Sequence, residues 1–373
     1  MRASVLFFFA ALCVGAAQAA GPARVATVER ASWPAALDSP TAFDTASRAE
    51  ILMFARALLD SEAADEATLK LRLGIKQVDL NSLEQVRQRF WGRLLENYQF
   101  ASQACDASAA FCPPVDSLGA LRQQAASLVI APAFGAWAGS SEPFHRTYLN
   151  EQLRLAALFP RISSEIARFS EQERTGDELA DRQFLLTFDD GPTLTPGSTE
   201  RMIEVLRAER LTGIFYVLGR NLQARAQKGP DTALRDLYAG QCVGLHGWEH
   251  KSHAQWGEWQ DSILKSAALV RQALPENQLG WFRPPYGQRQ ADSAAFFQAQ
   301  GLRVGLWNID SQDWSSKVSA DAATQRVLTL MLLWRRGVIL FHDIHSKAQT
   351  AVPGMLQATR GAGVNWLECG AYR

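Results

Sequence analysis

Apolar positions follow two different rhythms along this chain. Over residues 40–169 they recur every three or four positions, the spacing of one helical face. Ile51, Met53, Phe54, Leu58 and Leu59 form one such stripe. Leu83, Val86, Phe90, Leu94, Tyr98 and Ala101 form a second, and Leu149, Leu153, Ala156 and Ala157 a third, ahead of Pro160. Ser82 with Gln85 has the pattern of a capping box at the start of the second stripe. After residue 181 short apolar runs at 184–188, 213–218, 242–245, 304–307, 338–341 and 364–367 alternate with helical stretches at 200–210, 263–274 and 321–335. That alternation predicts an α/β fold on a parallel sheet, open or closed into a barrel. Residues 171–182, polar, charged and containing Gly176, read as a linker or long connection. The expected organisation is a helical N-terminal domain over 21–180 and an α/β domain over 181–373.

The first twenty residues break both rhythms. Arg2, an apolar run over 5–14 and the small residues Ala16, Ala17 and Ala19 read as a cleaved secretory signal. The run is too short to span a bilayer, and Leu12 is bulky for the position before a lipidated cysteine. The expectation is therefore an exported protein, periplasmic or secreted, with no transmembrane anchor once residues 1–20 are removed. Removal takes Cys13 and leaves Cys105, Cys112, Cys242 and Cys369, which allow three disulfide pairings in an oxidising compartment. Cys105 with Cys112 closes a short loop and leaves Cys242 for Cys369; the alternative is four buried thiols.

With 373 residues, 47% of them apolar, the chain can bury a large core. Its 38 basic and 38 acidic residues balance, so it has no broad cationic footprint for nucleic acid or an anionic membrane surface.

The chemistry concentrates where strands end. The run 184–188 stops at Asp189 and Asp190, and Gly191-Pro192 turns the backbone where these carboxylates emerge. Two adjacent acids are unfavourable unless a cation or a proton separates their roles. His246 and His250 supply imidazoles one turn apart, and with one carboxylate they make a two-nitrogen, one-oxygen site open to water and substrate. Such a set suits one divalent ion, zinc first, with cobalt, nickel or manganese also admitted. His246 to His250 also spell the signature of inverted-motif metalloproteases. That motif needs a long helix, whereas Gly247 is a poor helix former and the alternative leaves the aspartates unexplained. Farther along, Arg283 sits before Pro284-Pro285-Tyr286, Asp313 before Trp314, and His342 ends the run 338–341.

In order and spacing these segments resemble the polysaccharide deacetylases of carbohydrate esterase family 4, the NodB homology domain, over residues 181–373. The resemblance implies a distorted (β/α) barrel with fewer than eight strands. It also implies a metal-dependent hydrolase that removes N-acetyl groups from an amino-sugar polymer such as peptidoglycan, a chitin-like oligomer or an exopolysaccharide. Matched motif by motif, it implies Asp190, His246 and His250 as metal ligands, Asp189 as catalytic base and Arg283 as its orienting partner. His342 is implied as catalytic acid, paired with Asp313. Trp314 and Leu340 are implied as walls of the acetyl pocket, and the backbone N–H of Tyr286 as oxyanion donor. Gly247 departs from the family pattern, which has Ser or Thr there, and Lys251 replaces a common proline. His253 is expected at the surface, with bracing of the ligand loop in place of the missing hydroxyl as the alternative, His145 as a structural or surface residue, and Trp248 near the substrate groove. A non-catalytic carbohydrate binder and a hydrolase of non-sugar amides or imides are the competing readings.

Overall fold

The computed structural model describes residues 22, 24–106, 108–160, 168–230 and 232–372. The expected leader over 1–20, with Cys13, lies outside the described residues. Among the described residues the N-terminal region holds five α-helices: α1 (Pro40–Glu62), α2 (Glu66–Leu73), α3 (Leu80–Ser102), α4 (Leu118–Ala126) and α5 (Gly135–Leu158). The three apolar stripes fall on α1, α3 and α5 and are buried there, except for half-buried Leu59. The expected capping box is corrected: Asp79, not Ser82, caps α3, its carboxylate accepting the Ser82 N–H at 2.9 Å. Ser82 is inside the helix because the aspartate three residues earlier reaches the free amide first.

Among the described residues nine strands follow: β1 (Glu173–Arg174), β2 (Gln183–Asp189), β3 (Gly213–Val217), β4 (Cys242–Leu245), β5 (Gln278–Phe282), β6 (Arg303–Gly305), β7 (Ile309–Asp310), β8 (Gly337–His342) and β9 (Asn365–Trp366). They pair in parallel in the order β1-β6-β5-β4-β3-β2-β8-β7, with β9 beside the start of β2. Only β2, β3, β4, β5, β6 and β8 exceed two residues, so the wall of this half-barrel is built from fewer than eight substantial strands. The helices between them are α6 (Ser198–Ala208), α7 (Gly219–Ala226), α8 (Ala233–Tyr238), α9 (Trp259–Ala273), α10 (Ala294–Ala299), α11 (Ala320–Trp334) and α12 (Lys347–Ala358). The stretch 171–182, read as a linker, instead contributes β1 to the sheet edge, Glu173 opposite Val304. A two-residue strand has no periodicity to detect, and the buried pair of Glu173 with Arg289 secures it.

Strand residues alternate between two environments. Phe184, Leu186, Phe188, Phe215, Val217 and Phe341 face the helices in the main core. Leu185, Ile214, Tyr216, Trp281 and Val338 gather on the other face with Cys369 and Tyr372. Disulfides join Cys105 to Cys112 and Cys242 to Cys369, the pairing expected from the shorter loop.

The helical region packs on α11, which is buried from Arg326 to Trp334. A helix apolar on all sides needs cover on all sides: the sheet covers one, and α1 and α3 cover the other. Ser47 Oγ donates to the Leu332 carbonyl at 2.6 Å and Asn97 Nδ2 to that of Leu333 at 3.1 Å. His145 is a structural residue. It is buried with Nε2 2.7 Å from Glu50, whose carboxylate also accepts from Trp137, Ser141 and Arg30. Burial works against the Glu50 charge, yet His145 and Arg30 hold its pKa down to about 2.

Candidate active site

All the chemistry-bearing segments converge where the parallel strands end. Successive side chains alternate across a strand, so Thr187 and Asp189 of β2 share a face, as do Leu340 and His342 of β8. The register sets Asp189 beside His342. Asp190 follows β2 with a left-handed backbone, φ +79°, which turns its carboxylate toward the loop after β4. That loop carries His246 and His250 and is not helical. Their Nε2 atoms lie 3.4 and 3.5 Å from Asp190 Oδ1.

These three residues fit a divalent ion. One ligand atom from each lies within 4.8 Å of the other two. Asp190 Oδ1 is buried and has no hydrogen-bond partner, a costly condition that an ion relieves. His246 Nδ1 lies 2.8 Å from the Arg283 carbonyl and donates to it, which leaves Nε2 as the free ligand atom. Burial, reinforced by His246, pushes His250 down to about 4, so it is neutral and able to ligate. Burial opposes the charge of Asp190, but the neighbouring imidazole of His246 holds its carboxyl well below the usual range.

Asp189 stands beside this set without belonging to it. Its Oδ1 accepts from Arg283 Nη1 at 2.9 Å, while Oδ2 lies 3.8 Å from His246 Nε2. Arg283 is fully buried and also donates to Thr187 Oγ1 and to the carbonyls of Gly305 and Leu306, at 2.8, 2.9 and 3.0 Å. The guanidinium lies 4.1 Å from the ring centre of Tyr216. A cation pinned at four points fixes one carboxylate oxygen and leaves the other free.

On the opposite wall, His342 Nδ1 lies 2.7 Å from Asp313 Oδ1, and Asp313 Oδ2 accepts the His342 backbone N–H at 2.9 Å. Burial disfavours the imidazolium, but Asp313 outweighs it and His342 is raised to about 10. Leu340 is buried one strand repeat before His342, and Trp314 is 42% exposed at the rim. Tyr286 is exposed, has φ +59° and stands edge-on to His250 with centroids 4.5 Å apart. The structure thus gathers every expected site residue at one end of the sheet.

Three placements were not legible in the sequence. Asp343, the residue after His342, is buried behind the Asp189-Asp190 turn and accepts from Gly191 N–H at 3.0 Å and Thr199 Oγ1 at 2.6 Å. Burial pushes its carboxyl up to about 7. His253, expected at the surface, is 1% exposed, a correction traced to the hole that Gly247 leaves for its ring. Trp248 is half-buried, against Gly219 and beneath Lys265 Nζ at 3.7 Å.

Residues 176–305 match the profile of the polysaccharide deacetylase family. A peptidoglycan-N-acetylglucosamine deacetylase of Listeria monocytogenes is 28% identical over 194 residues, covering 50% of this chain and 38% of that protein. The chain therefore spans well under two thirds of that relative. A chitooligosaccharide deacetylase of Bradyrhizobium is 29% identical over 181 residues, 48% of this chain and 78% of that protein. Among solved structures, a family 4 carbohydrate esterase from Streptomyces lividans in complex with acetate is similar at 30% identity and TM-score 0.42, covering 49% of this chain and 91% of that one. No helix among the described residues is long and apolar enough to cross a membrane.

Proposed function

We propose that this chain is a metal-dependent N-deacetylase acting on an amino-sugar polymer such as peptidoglycan, a chitin-like oligomer or an exopolysaccharide. The observation that carries the reading is the orphaned Asp190 Oδ1 facing two imidazoles, with a separate carboxylate, Asp189, held alongside by Arg283. Asp190, His246 and His250 hold the ion, for which zinc suits the nitrogen-rich set best. When bound, the ion supplies Lewis acidity to a water and to the acetyl carbonyl. Asp189 accepts the proton of the attacking water through the oxygen that Arg283 leaves free. The Tyr286 N–H faces the carbonyl oxygen as it gains charge. His342, kept cationic by Asp313, protonates the departing amine, and Trp314 and Leu340 enclose the acetyl methyl. The proposed organisation is a secretory leader over 1–20, a helical region over 21–180 and the deacetylase domain over 181–373, with the exported enzyme meeting its polymer outside the cytoplasm.

Acetate release from a panel of N-acetylated glycans and small cyclic amides tests this, with and without chelator. The expected outcome is release from glycans alone, abolished by chelation and restored by zinc or cobalt. Glycan binding without acetate release, or turnover of the cyclic amides instead, would overturn the proposal.

A further inference from the structure

Two residues outside the metal-binding motif grip its loop from behind. Gly247 has φ +83°, and a Cβ there would lie 2.8 Å from Cε1 of His253 and 3.1 Å from Ser262 Oγ. The imidazole of His253 fills the space a side chain at 247 would need. Its Nδ1 is 2.9 Å from the Lys251 carbonyl, so this nitrogen carries a proton and donates it. Nε2 is then the acceptor, 3.3 Å from Ser262 Oγ, whose O–H donates to it. Ser262 Oγ in turn accepts the Trp248 N–H at 2.8 Å. Phe282 and Trp256 stand edge-on to the ring, centroids 5.3 and 5.6 Å away. Each bond in this chain has a defined donor and acceptor, and its two ends meet the loop at Trp248 and at Lys251, on either side of His250.

On its other side the loop is held through its backbone, the Gly247 and Trp248 carbonyls accepting the Gly219 and Arg220 N–H at 2.9 and 3.1 Å, and Lys251, beyond His250, is tied back by His253. The loop lacks regular secondary structure and contains a glycine, the residue that loses most conformational freedom on folding. We infer that His253 and Ser262 form a clamp that fixes loop 246–251 and so positions His246 and His250 for the ion. Both are positioning residues. The two nitrogens of His253 are engaged elsewhere, and it is not among the three residues whose ligand atoms converge. Ser262 lies in the first turn of α9, so the clamp ties the loop to a helix packed on the sheet. The inference rests on the metal reading given above.

The test uses the full chain with H253A, S262A, G247A and the double variant G247A/H253A. Hydrogen exchange of peptides spanning 246–253 is followed in metal-free protein, and affinity for zinc and cobalt is measured by competition with a chromophoric chelator. Faster exchange is expected in both H253A and S262A, with metal affinity about ten- to a hundred-fold lower, the usual effect of losing a group that orients ligands. The cobalt absorption spectrum should also broaden or shift. Because a Cβ at 247 competes with the imidazole for one space, G247A should weaken affinity more in the wild-type background than in H253A. If wild type binds no metal while exchange still depends on His253 and Ser262, the metal reading fails and the clamp stands as a loop lock. Exchange and affinity unchanged from wild type in both H253A and S262A would overturn the clamp.

Discussion

At the Asp189 carboxylate the two oxygens face different neighbours, Arg283 on one side and the imidazole of His246 on the other. Replacing Asp189 with Asn keeps the shape and removes the basicity. Turnover should fall about 10²–10⁴-fold, the usual size of a general-base effect, while zinc content stays at wild-type level. Full activity in D189N would remove Asp189 from the mechanism. The His342–Asp313 pair makes a second prediction through pH. The folded pKa of His342, about 10, is raised above its unfolded value. The pair therefore stabilises the fold fully below that unfolded value, and the contribution is lost as pH rises through about 10. The acid stays protonated over the same range. In D313N burial has no opposing charge at that position, so the alkaline limb of kcat should move toward neutral pH. A kcat–pH profile that keeps its wild-type limb in D313N would show that Asp313 does not set the protonation of the acid.

Among the elements, the turn after β2 depends most on packing that the local sequence does not reveal. Its Gly191 N–H and the Thr199 hydroxyl both donate to buried Asp343, a residue 152 positions away from Gly191. A Cβ at Gly191 would lie 2.0 Å from Asp343 Oδ2. G191A should therefore destabilise the fold by about 1–3 kcal/mol, the range for overpacking a filled site, and should displace Asp190 with it. Urea titration with metal-binding measurements checks both; unchanged values would mean that the turn can move aside. The same dependence explains why the turn was legible and its anchor was not. Gly-Pro after an apolar run announces a turn, whereas Asp343 differs in no local way from a surface aspartate. Asp79 outcompetes Ser82 as the cap of α3 for a comparable reason, since several nearby polar residues fit the motif and only backbone geometry selects one.

For the whole molecule, the helical region is cover for α11 as much as an appendage. Trp334 of α11 packs among Phe54, Phe90 and Tyr148, and its indole N–H donates to the Tyr148 hydroxyl at 2.9 Å. Arg326 pairs with Glu151 at 2.7 Å, and fully buried Arg335 pairs with Asp44 of α1 at 2.9 Å. Removing the helical region takes Glu151 from Arg326 and Asp44 from Arg335, which keeps Asp181, and turns the apolar outer face of α11 to water. A chain beginning at residue 176 should accordingly be poorly soluble or aggregated in size-exclusion chromatography. A monomeric, active protein of that length would show that the helical region is dispensable for the fold.

The sequence by itself determined the helical stripes and the strand-helix alternation and marked the candidate site residues, because apolar periodicity and strand-ending motifs are local properties. It also limited the cysteine pairing to three choices. Tertiary structure decided which pairing forms, that β1 arises within an apparent linker, that α11 is enclosed on both sides and that His253 lies beneath the metal-binding loop. Those outcomes depend on which distant surfaces meet. A buried histidine behind a glycine, or an aspartate accepting an amide 152 residues away, acquires its environment only when the sheet curls and brings the strand ends together.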